Sequence, residues 1–131
     1  EYCHNFLNLV DAAINNRYRL EFPFILEPSQ FSEITNPKRL VAISGPNITI
    51  PKGLKNTVFM SNLSGSKSVN AKWLLQDSVK KISISEHGDF LTSQLNLWAE
   101  PHVMSPELFV AIHIEPNETF CWERRFSVHQ L

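Results

Sequence analysis

The side chains that could bind a metal or catalyse a reaction are dispersed along this chain. Metal sites on β-sandwiches and cupin-like barrels need two or three histidines that converge with a carboxylate, commonly announced by a His-x-His pair on one strand. No such pair occurs among the five histidines, which are His4, His87, His102, His113 and His129. The 13 Asp and Glu residues have the distribution of ordinary solvated strand and turn positions. We therefore predict no metal site and no catalytic residue.

Motifs for nucleotide or phosphate binding are missing from the sequence as well. The chain has only 4 glycines, and none of them are clustered, whereas phosphate-binding loops and nucleophile elbows need glycines close together. We predict no cofactor, and a non-enzymatic protein is favoured over an enzyme. A small enzyme built on a β-sandwich remains an alternative.

The two cysteines, Cys3 and Cys121, lie near opposite ends of the chain. Their spacing excludes a C-x-x-C redox or zinc motif, because both motifs need ligands close in sequence. A disulfide between Cys3 and Cys121 would join the N-terminal segment to a late strand and would be typical of an oxidising compartment. The alternative is two separate thiols buried in a cytosolic core. We predict the disulfide.

Three Asn-x-Ser/Thr triplets begin at Asn47, Asn62 and Asn117 and are acceptor sequences for N-glycosylation. Asn62 lies in a segment of small polar residues that predicts an exposed loop, and Asn117 follows Pro116 at a predicted turn. We expect these two sites to be accessible. Together with the cysteines, the triplets favour a secreted glycoprotein, the alternative being a cytoplasmic domain of a larger protein.

Aromatic and arginine side chains are the best candidates for ligand binding. Trp73 alternates in phase with Val69 and Leu75, which predicts a core position. The sequence Trp122-Glu123-Arg124-Arg125 combines a ring with two guanidinium groups, and Trp and Arg are enriched at interfaces. We predict a binding surface formed by Trp122, Arg124, Arg125 and Trp98.

The predicted secondary structure that must position these residues changes from helix to strand near residue 18. Over about residues 5–17, apolar residues recur at spacings of three and four, which predicts one amphipathic α-helix. Between about residues 18 and 128 apolar residues alternate with polar ones, which predicts eight to nine strands. Each strand would have one solvent-exposed face, which is typical of antiparallel sheets. We predict that residues 1–131 form a single domain, an antiparallel β-sandwich or jelly-roll-like barrel with one N-terminal α-helix.

Two turns organise the second half of the predicted sheet. Gly88 predicts a hairpin at Glu86–Asp89, followed by one strand over Phe90–Trp98. Pro116–Glu118 predicts a second hairpin, between strands at Leu108–Glu115 and at 120–128. These predictions specify which residues share a face of each strand.

Charge and hydropathy limit the partners. The chain has 12 Lys and Arg against 13 Asp and Glu, a formal net charge of -1, so nothing attracts it to a nucleic acid backbone. No apolar run approaches the ~20 residues needed to span a bilayer. We expect a secreted, non-enzymatic binding module for a protein or carbohydrate ligand, of which a host-interaction effector is a special case. The alternative is an intracellular Ig-like interaction or scaffold domain excised from a larger assembly, and the oligomeric state is left open.

Overall fold

The protein is mainly β, with two antiparallel sheets. A computed structural model describes residues 6–7 and 13–131. The strands, in chain order, are β1 (Phe6–Leu7), β2 (Tyr18–Glu21), β3 (Glu33–Thr35), β4 (Ala42–Ser44), β5 (Asn47–Thr49), β6 (Val58–Ser61), β7 (Val69–Asp77), β8 (Ile82–Thr92), β9 (Gln94–Glu100), β10 (Val103–Phe109) and β11 (Arg124–Gln130). Two short 3-10 helices lie at Pro28–Gln30 and Pro37–Arg39. The strand number exceeds the eight to nine that the sequence predicts.

The five-stranded sheet has the order β1-β10-β9-β6-β3, and the six-stranded sheet has the order β11-β8-β7-β2-β5-β4. Apolar residues of both sheets meet in one buried cluster, a sandwich-like arrangement. The cluster includes Leu20, Ile48 and Leu75 from the six-stranded sheet and Met60, Leu95 and Leu97 from the five-stranded sheet. Trp73 is fully buried there, which confirms the predicted core position. Among the described residues, no helix has both the length and the hydropathy of a membrane-spanning segment.

The predicted N-terminal helix is not present in the described residues. Phe6–Leu7 is a strand that pairs with Val103 and Met104 of β10, and a turn at 16–17 leads directly into β2. The Ile14 amide donates a hydrogen bond to the Pro101 carbonyl oxygen, and the Ile14 carbonyl oxygen accepts one from the Leu54 amide, so the partners of this residue are distant in sequence. The helix predicted from apolar spacing alone is therefore wrong, because the backbone hydrogen bonds of this segment are made with distant parts of the chain. Residues 1–5 and 8–12 lie outside the described residues.

The hairpin predicted at Gly88 is also wrong, because Gly88 lies inside β8. The turn comes earlier, at residues 78–81, where Asp77 Oδ1 accepts hydrogen bonds from the Val79 and Lys80 amides. Gly88 faces an irregularity in the register of β7. A Cβ atom there would lie 2.6 Å from the Phe90 ring and 2.9 Å from Ala71 Cβ. Close packing, and not a turn, therefore requires glycine at this position.

The chain changes sheets at Ser93, so Phe90–Trp98 is not the single strand that its alternation predicts. β8 ends at Thr92 in the six-stranded sheet, and β9 begins at Gln94 in the five-stranded sheet. Thr92 Oγ1 lies 2.7 Å from the carbonyl oxygen of Gln94 and 2.8 Å from that of Phe109. It also accepts a hydrogen bond from the Phe109 amide at 3.1 Å. This buried hydroxyl ties the crossover to the end of β10.

The strand predicted at Leu108–Glu115 lies earlier in the chain, at Val103–Phe109, and runs through Pro106. Residues 110–123 form no strand, and 111–123 are all exposed. We refer to residues 110–123 as the C-terminal loop. It connects β10 of one sheet with β11 of the other, so it spans one end of the two sheets.

Candidate binding surface

The C-terminal loop and β11 carry most of the exposed apolar side chains in the described residues. Seven of the eleven large hydrophobic residues that are exposed lie at or after Ile112: Ile112, Ile114, Phe120, Trp122, Phe126, Val128 and Leu131. Such residues are normal when scattered singly, whereas a contiguous group indicates an interaction site. The exposed apolar surface is thus concentrated in the last twenty residues.

The C-terminal loop forms one wall of a cleft of about 330 Å³. Trp122 lines this cleft with 42% of its surface exposed, and its ring centroid lies 5.9 Å from that of Phe120. The other walls come from the ends of β8 and β10, from the start of the loop and from the start of β11: Phe90, Leu108, Phe109, Val110, Ile112 and Arg124. The cleft is therefore mostly apolar, and Trp122 is an exposed aromatic residue of its lining.

Arg124 is an internal anchor and not the exposed contact that the sequence predicts. Its side chain is 7% exposed and forms an ion pair with Glu86, which is fully buried. Glu86 also accepts a hydrogen bond of 2.7 Å from Trp73 Nε1. The guanidinium group lies 5.6 Å from the Phe126 ring centroid. Because a buried carboxylate needs a charged or hydrogen-bonding partner, Arg124 holds β11 against β8.

The sequence pattern does not predict that Glu86 is a buried, paired residue. Glu86 alternates with Ile84 in β8, so it lies on the core-facing side, opposite Trp73 of β7. The alternation was visible in the sequence, but the predicted turn at Gly88 assigned Glu86 to a loop. Only the correct strand bounds reveal a fully buried Glu that contacts a Trp of one neighbouring strand and an Arg of the other.

Arg125 and Trp98 are not among the residues that line the cleft. The Arg125 side chain is exposed and forms an ion pair with Glu123. Trp98 belongs to β9, where its neighbours in register are Phe59 and Ser105, and it is half-buried. The structure therefore brings Trp122 and Arg124 together at one cleft, and neither Arg125 nor Trp98 lines that cleft.

Cys121 is a free, exposed cysteine in the C-terminal loop, so the predicted disulfide is not seen. Cys3 lies outside the described residues. The exposure of Cys121 also differs from the alternative of a buried thiol. Its neighbours Phe120 and Trp122 are exposed as well.

The three glycosylation triplets have different surroundings. Asn117 is exposed, at a turn where the Glu118 amide donates to the Glu115 carbonyl oxygen. The segment predicted as an exposed loop around Asn62 does form a turn, at 63–66, but it is exposed only at 66–68, whereas Asn62 is half-buried and Leu63 and Ser64 are buried. Asn47 lies in β5 between β2 and β4 and is half-buried. Only the Asn117 triplet is presented on an exposed turn.

Groups that could support catalysis or bind a metal are sparse at this surface. Within residues 6–7 and 13–131, no cluster of three or more His, Cys, Asp and Glu side chains could hold a metal ion. His113 and Glu115 form an exposed pair at 2.9 Å in the C-terminal loop. His4 lies outside the described residues. The chain matches no protein-family model, no curated protein and no solved structure.

Proposed function

We propose that this protein is a non-enzymatic binding module that recognises a protein partner at the cleft beside the C-terminal loop. The observation that carries this proposal is an exposed tryptophan, Trp122, that lines a mostly apolar cleft. Trp is enriched among the few residues that dominate binding energy at protein interfaces. The cleft can receive an apolar side chain of a partner, while Phe120 and Ile112 extend the contact around it.

A protein ligand is favoured over a carbohydrate by the polar groups of the cleft. Sugars need several side chains that accept and donate hydrogen bonds, in addition to an aromatic ring. Arg124 is the one charged residue of the lining, and its guanidinium group is committed to Glu86. The remaining lining side chains are apolar. An aliphatic or aromatic side chain of a peptide is thus a better match for this cleft than a sugar with its many hydroxyl groups.

Secretion is part of the proposal, and the Asn117 triplet supports it. Its asparagine is exposed at a turn beside the cleft-forming residues, where a glycan could be attached without disturbing the core. A host-interaction effector is the special case in which the partner belongs to another organism. The intracellular scaffold alternative uses the same cleft with a different partner.

The test compares two exposed apolar positions. Wild-type protein is screened against a displayed library of random linear peptides and, in parallel, against an array of glycans. We expect peptides with an apolar anchor residue to be selected, and Trp122→Ala to weaken their binding by about tenfold or more, as for a hot-spot residue. Ile34→Ala, on β3 at the far edge of the other sheet, should leave binding unchanged.

Two outcomes would contradict the proposal. One is selection of glycans without any peptide, which would favour the carbohydrate alternative. The other is an equal loss of peptide binding in Trp122→Ala and Ile34→Ala, which would place the contact elsewhere. Far-ultraviolet circular dichroism of both variants checks that the fold is retained.

A further inference from the structure

We propose that a second copy of this chain pairs with the outer edge of β11, so that the six-stranded sheets of two molecules join into one. This goes beyond the proposed function, because it uses a strand edge and not the cleft at Trp122. β11 is the outermost strand of its sheet in the described part of the chain. An outermost strand has backbone amide and carbonyl groups that can pair with another strand.

β11 differs from the other outermost strands in length. β1 has two residues, and β3 and β4 have three residues each, whereas β11 has seven. Short edge strands are one way in which proteins prevent pairing between molecules, and proline, charged side chains and β-bulges are others. β11 contains no Pro, its two charged residues, Arg124 and Arg125, lie at its start and are ion-paired within the chain, and its register with β8 runs without a break from Arg124 to Gln130. It is therefore the least protected of the described edges.

The sequence of β11 is complementary to itself in an antiparallel register. With Ser127 on the twofold axis, Phe126 lies opposite Val128 of the second copy, and Val128 lies opposite its Phe126. Val128 is 69% exposed, so it has surface to bury in such a pair. Directly opposed aromatic and β-branched residues stabilise antiparallel strands. The two pairs would form one apolar cluster beside the axis.

The charges of β11 do not oppose this register. Arg124 lies opposite Gln130, and Arg125 lies opposite His129, so no two arginines face each other. Arg124 and Arg125 also form ion pairs within their own chain, with Glu86 and Glu123. With a net charge of only -1 per chain, two copies repel each other weakly. A second copy is thus a specific occupant for this edge, because β11 itself supplies the complementary sequence.

Charge substitution at Ser127 tests the axis directly. We expect wild-type protein to sediment at the 15.0 kDa monomer mass when dilute and at twice that mass when concentrated. Ser127→Lys and Ser127→Glu should each remain monomeric, because like charges would face each other across the axis. An equimolar mixture of the two variants should form a heterodimer, since Lys then faces Glu.

The controls separate this inference from the proposed function. Trp122→Ala should dimerise like the wild type, and Ser127→Lys should retain binding of any peptide selected at the cleft. Because Ser127 is exposed, Ser127→Lys and Ser127→Glu should each keep the wild-type melting temperature.

Three outcomes would overturn the inference. The first is a wild-type protein that is monomeric at every concentration. The second is a dimer that both Ser127 variants retain, which would place the interface elsewhere. The third is a selected peptide whose binding is lost in Ser127→Lys but not in Trp122→Ala, which would make β11 a docking edge for a foreign strand.

Discussion

Arg124 shows at the scale of a single residue how position decides the role of a side chain. Arg124 and Arg125 are neighbours in sequence, and the sequence predicts that both belong to one binding surface. Successive residues of a strand point to opposite faces, so Arg124 reaches the buried Glu86 while Arg125 points to solvent. One arginine therefore maintains the fold and the other is available at the surface.

Arg124→Leu should lower the free energy of unfolding by about 3–5 kcal/mol, because it leaves the buried Glu86 carboxylate without its cation. Arg125→Leu is the matched control, and its exposed ion pair with Glu123 should contribute less than about 1 kcal/mol. Urea denaturation followed by tryptophan fluorescence measures both values. Adding Glu86→Gln to Arg124→Leu should restore part of the loss, since the amide carries no charge. Equal costs for the two arginine variants would show that Arg124 is not an anchor.

The crossover between β8 and β9 is the decisive feature at the scale of elements. Alternation continues through Thr92 and Gln94, so nothing in the local pattern marks the change of sheet. The buried Thr92 hydroxyl contacts the carbonyl oxygens of Gln94 and Phe109 and the Phe109 amide. These contacts fix the end of β10 and therefore the start of the C-terminal loop.

Thr92→Val should lower the free energy of unfolding by about 1–3 kcal/mol, because an isosteric methyl group leaves buried polar backbone groups unsatisfied. Ser93→Ala is the control, since Ser93 is exposed and its hydroxyl lies 3.4 Å from the same Phe109 carbonyl oxygen. Thermal and urea unfolding of both variants provide the comparison. We also expect faster amide hydrogen exchange at Phe109 in Thr92→Val. A cost no larger than that of Ser93→Ala would refute the role assigned to this hydroxyl.

At the scale of the whole molecule, the two sheets share one core and differ in what they leave exposed. The six-stranded sheet ends in a long outer strand, and the C-terminal loop places Trp122, Asn117 and Cys121 on the surface. The Asn62 triplet is packed into the protein, with Leu63 and Ser64 buried. The same three-residue motif thus has different accessibility at different sites of the fold.

When the protein passes through a eukaryotic secretory pathway, Asn117 should carry a glycan and Asn62 should not. Asn117→Gln should therefore remove the mass of one glycan, whereas Asn62→Gln should leave the glycan mass unchanged. Intact-protein mass spectrometry before and after enzymatic deglycosylation gives the result. Loss of a glycan in Asn62→Gln would contradict the accessibility that the fold predicts.

The sequence by itself determined the mainly β class, the central strand β7 and the burial of Trp73, because alternation with a period of two reports directly which residues share a face. It also located the turn at Asn117, through Pro116 and its polar neighbours, but the hairpin predicted there is wrong, because residues 110–123 form no strand and β10 and β11 belong to different sheets. Only the tertiary structure decided that Phe6–Leu7 is a strand, that Ser93 separates two sheets and that Arg124 is buried against Glu86. Each of these depends on a partner far away in sequence, and local spacing carries no information about which distant segment satisfies a backbone or neutralises a charge.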